Sequence, residues 1–331
     1  MMKKFYIFLL GACIAFGSCS TGDAASAAQM LGGSSQALLY LNCRAVSEDE
    51  IEFDFSQPVM VKSLYFEPAV EIASIQDGST VRVRLEEKAD PGMLLTADLL
   101  AEDEKKNTIN VLVSFRSRNN KMPSLVINEI YTEYSSSTRK AEFIELKMKS
   151  DGNLGAMRIV ILGNSNASKQ TVYEFLPCEV KKNDYMVLHL RTLEENCKNE
   201  YGSNLLESGG TNASNARDFW IPGSTKLLQR AASTVYVLDQ DDRVLDAVMF
   251  SDNSSVSWGK DYFTEAAEFL FNEDAWKSPD GEICRPPEAV ITTGLTATKS
   301  ISRKENTDDT NTAADWYISA TNKITPGKPN E

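Results

Sequence analysis

The 331-residue sequence predicts an all-β protein built from two antiparallel β-sandwiches in tandem. Three observations carry this. Apolar and polar residues alternate with period two through most of the chain, as half-buried strands require. Over residues 36–117 seven short apolar runs are separated by turn residues, the spacing of a sandwich. A polar, basic stretch at Arg116–Met122 then breaks the pattern, and Pro123 restarts it.

The runs of the first unit, 36–117, are Leu38–Leu41, Ile51–Phe55, Val59–Phe66, Val70–Ile75, Val81–Leu85, Met93–Leu100 and Ile109–Phe115. Ile51, Phe53 and Phe55 alternate with Glu52 and Asp54, and Ser56-Gln57-Pro58 then signals a turn. The second unit, 118–331, has strands at Ser124–Tyr131, Ala141–Lys149, Met157–Leu162, Thr171–Leu176, Tyr185–Leu190, Thr234–Leu238 and Val244–Phe250. Ile144, Leu146 and Met148 share one strand face, while Phe143, Glu145, Lys147 and Lys149 share the other. This unit exceeds the ~100 residues of a bare sandwich. Its excess lies near 191–231 and 251–294. The spacing Thr192-x-x-Glu195 predicts a short helix over 193–199, and Glu265–Phe271 reads as a second helix.

Two stretches carry resemblances. Glu50–Val59, EIEFDFSQPV, resembles the opening of bacterial Ig-like domains, over residues 36–117. Asn128-Glu129-Ile130 with Glu142–Leu146, Arg243–Val248, Ser300–Lys304, Asp315-Trp316 and Thr325–Asn330 together resemble a lamin-tail domain over 124–331. Both resemblances imply an Ig-like β-sandwich. The second also implies structural hydrogen-bonding roles for Glu129, Glu142 and Glu145. Bacterial lamin-tail domains are similar to modules beside nucleases and phosphoesterases, so a metal-dependent accessory role is one alternative function; a glycan-binding module using the aromatics from Trp258 to Trp276 is another.

The N-terminus reads as an address. Lys3 and Lys4 precede an apolar run, Phe5–Phe16, of signal-peptide length and too short to span a bilayer. Phe16-Gly17-Ser18-Cys19 resembles a bacterial lipobox, which implies removal of residues 1–18 and acylation of Cys19. The lipid bilayer is then a partner through Cys19, and residues 19–35, rich in Ser, Ala and Gly, form a flexible tether. Ser20 leans the expectation toward the outer membrane of the cell envelope.

Composition narrows the chemistry. The net charge of −13 disfavours a nucleic-acid partner, and the mean hydropathy of −0.29 is not that of a polytopic membrane protein. The single histidine, His189, has no partner evident from spacing, so no catalytic set is expected. Asn164-Ser165-Asn166 between Gly163 and Ala167 reads as a turn rather than a nucleophile elbow. Asp239, Asp241 and Asp242 read as a solvated hairpin tip, since the calcium-loop glycine and terminal Glu are missing. Four cysteines remain beyond the leader and Cys19, and Cys178–Cys197 is the candidate local disulfide. Trp220, Trp258, Tyr262, Phe263 and Trp276 gather in the insertions as a candidate binding surface, or else cap the core. The expectation is a non-enzymatic envelope lipoprotein that binds or scaffolds a protein or glycan partner, with no cofactor and no metal.

Overall fold

The structure is a computed structural model that describes residues 37–133, 142–163, 170–192, 194–209, 213 and 215–331. Cys19, the leader, the tether and most of the 163–167 turn lie outside the described residues. The all-β class holds: nineteen strands and one α-helix are present among the described residues.

Residues 40–116 form a six-stranded antiparallel sheet from β1 (Tyr40–Ala45), β2 (Glu50–Glu67), β3 (Ile72–Gln76), β4 (Gly78–Leu85), β5 (Leu94–Asp103) and β6 (Thr108–Arg116). The expected turn at 56–58 is not a turn. β2 runs straight through it, pairing β1 and β4 with its first half and β5 with its second. Pro58, which has no N–H to donate, falls where the strand changes partners and so removes no ladder bond it needs. A register shift between Val61 and Ser63 then resets the parity. Odd positions Ile51, Phe53, Phe55 and Val59 are buried before it, and even positions Leu64 and Phe66 after it. These residues close on Val81, Val83, Leu95, Ala97 and Leu99 to make the first core.

The second core is larger and lies between two further sheets. One contains β10 (Arg158–Leu162), β11 (Thr171–Glu174), β15 (Ala232–Leu238), β16 (Val244–Ser251) and β17 (Val290–Ile291). The other contains β7 (Leu125–Tyr131), β8 (Phe143–Met148), β13 (Tyr185–His189), β14 (Ala216–Trp220), β18 (Ile301–Arg303) and β19 (Trp316–Ile318). A small ribbon joins β9 (Gly152–Asn153) to β12 (Glu179–Val180).

The expectation of purely antiparallel sheets is corrected here. β13 pairs β14 in parallel, and β16 pairs β17 in parallel. A parallel neighbour needs a long crossover, and the two insertions supply the chain for it. The excess length read from the sequence is therefore part of the sheet topology. The second insertion holds α1 (Asp261–Asn272), longer than the expected 265–271. Phe263, Ala266, Ala267 and Leu270 are its buried stripe, at the spacing of one helical face. The helix expected over 193–199 is absent among the described residues, where Glu194–Asn196 make a turn. Cys197 Sγ and the Gly209 amide bond the carbonyls of Glu194 and Asn196, which a helix would have engaged internally.

The two cores meet at a tight joint. A Cβ on Gly155 would lie 2.0 Å from the Pro91 carbonyl oxygen, and one on Gly92 would lie 2.2 Å from the Gly155 carbonyl carbon. Only residues without a side chain fit there. Arg116 pairs with Glu174 at 2.7 Å, and Arg118 pairs with Asp241 through both carboxylate oxygens at 2.6 and 2.7 Å. Asn119 completes the joint, donating to the carbonyls of Asn153 and Gly155.

Candidate functional site

Most ionisable groups inside the second core are engaged internally. Glu142 and Arg191 form a fully buried ion pair, and Glu142 also accepts the Leu228 amide at 3.1 Å. Asp246 accepts Arg303 through both oxygens, at 2.8 and 2.6 Å, together with the Ile127 amide at 2.5 Å. The Arg303 guanidinium lies 4.7 Å from the Trp316 ring, a cation–π contact. Burial raises the Asp246 carboxyl to about 6 even though Arg303 pulls it down.

Glu129 and Glu145 sit opposite each other on β7 and β8. Glu129 accepts the Ser300 hydroxyl at 2.5 Å and the Thr325 amide at 3.1 Å. Glu145 accepts the Gly327 amide at 2.5 Å and Asn128 Nδ2 at 2.7 Å. Asn330 Nδ2 bonds the carbonyls of Asn128 and Arg303. The two carboxylates thus hold the C-terminal segment over the outer face of the sheet. Burial pushes both carboxyls up, that of Glu145 to about 8. The alternation read from sequence gave the right faces of β8. The second face is buried as well, because the chain's own end, Ala213 and Ala216 cover it.

His189 has a partner that the sequence hid. Its Nε2 lies 2.6 Å from Asp218 Oδ1, twenty-nine residues away, because β13 and β14 are parallel neighbours. Trp220 stacks on the imidazole with centroids 3.9 Å apart. Asp218 also accepts the Ala213 amide, and its own amide donates to Glu200. The pair is buried and braces the first insertion.

The hairpin acids are engaged as well. Asp239 accepts the amides of Asp241 and Arg243, while Asp241 and Asp242 pair with Arg118 and Arg158. No cluster with metal-ligand geometry is present among the described residues.

Two sequence expectations are corrected. Cys178 and Cys197 are free thiols. Cys178 points at the carbonyls of Glu179 and Tyr201, and Cys197 at that of Glu194, so the sulfurs are held apart by separate partners. Burial raises both thiols, which makes them poor nucleophiles. The aromatic residues do not form a common exposed platform. Trp220, Phe263 and Trp276 are buried, and Trp276 is only 1% exposed. Trp258 and Tyr262 are partly buried against the same core. Aromatic rings in water-exposed segments gain most by joining the nearest core: Trp258 and Tyr262 pack on Phe263 of α1, whereas Trp220 stacks on His189.

Open, shaped surface remains beside α1. A recess of about 230 Å³ lies under the 252–260 loop, walled by Trp258, Phe263 and Pro286 and rimmed by Asp252, Ser257 and Lys260. The Trp258 indole N–H donates to the Cys284 carbonyl at 2.9 Å, which fixes the ring. A second hollow of about 460 Å³, also beside the helix, is lined by Tyr236, Tyr262, Glu265 and Phe269.

Fold and site together describe an all-β protein of two cores, whose insertions combine sheet crossovers with open recesses. Residues 123–318 match the family model described as the TP_1001 protein second domain, and the chain belongs to that family. The chain is also similar to a protein of Treponema pallidum (strain Nichols) described as uncharacterized, 24% identical over 262 residues. That match covers 75% of this chain and 64% of the relative, so the chain spans less than two thirds of the relative's length.

Proposed function

We propose that the protein is a lipid-anchored lipoprotein of the bacterial cell envelope, non-enzymatic, acting by binding or scaffolding. The observation that carries the binding reading is the contrast in polar groups. Charged residues inside the second core are paired or hydrogen-bonded within the fold, whereas the recesses beside α1 keep open polar and aromatic surface. Loops on rigid scaffolds are the usual seat of recognition, and segment 251–294 is the contact surface in this reading. The lipobox at Phe16–Cys19 supports acyl anchoring, with the outer membrane as the favoured site. The lamin-tail signature at Ser300–Lys304 and Thr325–Asn330 supports a sandwich of the Ig-like kind for the second unit.

Two experiments test this. Mass spectrometry of the protein from membranes is expected to find Cys19 as an acylated N-terminus, and an unmodified N-terminus would remove the anchor. Photo-crosslinkers placed along 251–294 in intact envelopes are expected to capture a partner. Their silence, with crosslinking elsewhere on the chain, would remove this surface from the proposal.

A further inference from the structure

We propose that the recess under the 252–260 loop binds one neutral pyranose ring of a glycan, an inference that rests on segment 251–294 being the contact surface. Its lining combines apolar groups from Trp258, Phe263, Ala231, Ala232 and Pro286 with polar groups from Ser257, Asp252 and Lys260. A sugar ring has both kinds of surface, a C–H face and an edge of hydroxyls that both donate and accept.

The polar atoms here differ from those of the core. The Ser257 hydroxyl and the Lys260 ammonium have no hydrogen-bond partner among the described residues, and the Asp252 carboxylate accepts only locally, from Ser254 and from its own backbone amide. Together they offer a donor, an acceptor and a hydroxyl that serves as either. The Trp258 ring is pre-oriented by its bond to the Cys284 carbonyl, so little ordering is needed on binding.

Size and charge narrow the ligand. At about 230 Å³ the recess is smaller than the ~300–1,000 Å³ of sites for drug-sized ligands. That volume suits a single ring better than an extended peptide. Asp252 and Lys260 balance one another locally, while the chain as a whole carries −13, which disfavours uronic and sulfated sugars.

The test uses the four tryptophans. Trp220, Trp276 and Trp316 are buried, so Trp258 is the accessible indole. The chain labelled with 5-fluorotryptophan is titrated with the methyl glycosides of glucose, galactose and N-acetylglucosamine, and with glucuronate, and followed by ¹⁹F NMR. Trp258→Phe assigns the resonance. At least one neutral glycoside is expected to shift the Trp258 signal saturably at concentrations on the order of 10 mM or less. The buried indoles are expected to stay still. Asp252→Ala and Lys260→Ala, both surface changes that keep the probe, are expected to weaken that binding by about tenfold.

Three results would overturn the inference: silence with all neutral glycosides, a response to glucuronate alone, or a shift unchanged in both variants. Silence here together with a protein crosslinked to 251–294 would remove the sugar and leave the binding surface. Silence in both experiments would remove both.

Discussion

The two cores place charge in opposite ways. In the sheet of residues 40–116 the ion pairs lie on outer faces, as with Arg82–Glu52 at 3.0 Å and Lys62–Glu102 at 3.0 Å. Strict alternation keeps Leu95, Ala97 and Leu99 inside and leaves Asp98 outside. In the second unit Glu142, Glu145, Asp246, Arg191 and Arg303 are inside. The first unit is held by burial of apolar surface. The second adds a set of buried ionisable groups that tie distant segments together: Arg303 joins β18 to β16, Glu145 joins β8 to the C-terminal segment, and Arg191 joins the first insertion to Glu142, just before β8. A buried pair adds little net stability over an apolar one, yet losing one partner strands the other. The second unit is therefore expected to be the more fragile to single polar substitutions.

The largest effect that would break this contrast is at Arg303 or Glu142. Arg303→Ala leaves Asp246 and the Ile127 carbonyl without their partner, and Glu142→Ala strands Arg191. Each is expected to destabilise the second unit by ~3–5 kcal/mol. Urea denaturation followed by tryptophan fluorescence is the measurement, since all four tryptophans lie at or beyond residue 220. A loss under ~1 kcal/mol would mean that the buried charges are not what distinguishes the two units.

Next in size is the joint between them. Gly155→Ala is expected to cost ~1–3 kcal/mol, the range for forcing atoms into a packed contact. Limited proteolysis is then expected to open at 117–122 first. Unchanged proteolysis would show the joint to be slack.

The carboxyls give a pH signature. Glu145 has a folded-state pKa of about 8, above its usual 4.5. Its contribution is fully present below the unfolded value and is lost as pH rises through about 8. The second unit is thus expected to melt at lower temperature as pH goes from about 5 to 8. Glu145→Gln, which keeps the neutral shape, is expected to flatten that slope. A wild-type melting temperature that rises over the window would contradict the assignment.

The smallest expected effect is at Arg82. Arg82→Ala removes a partly exposed surface pair and is expected to change stability by less than ~1 kcal/mol. A larger loss would mean that Glu52, itself largely buried, depends on Arg82 rather than on Arg44, which also pairs with it.

Much of the molecule was legible as sequence. Period-two alternation located the strands, because side chains on a strand point to alternate faces whatever the sheet does. The run Glu265–Phe271 located the later part of α1 for the same kind of local reason, though not its start at Asp261. The insertion aromatics were found by type, but of the two placements open to them, exposed platform or core cap, Trp220, Phe263 and Trp276 take the second. A tryptophan in an insertion looks the same whether it faces water or a core, and Trp258 kept an accessible ring while Trp276 did not.

What the sequence by itself determined was the all-β class, the faces of individual strands and the existence of extra length near 191–231 and 251–294. Only the tertiary structure decided that β2 continues through Pro58, that the extra length carries parallel crossovers, and that His189 meets Asp218. It also decided that Glu145 is buried under the chain's own end. The physical reason is range. Alternation and helix spacing depend on residues a few positions apart, so they are written locally. Partner choice, parallel pairing and the covering of a second sheet face depend on residues tens to nearly two hundred positions apart, and those become neighbours only when the sheets assemble.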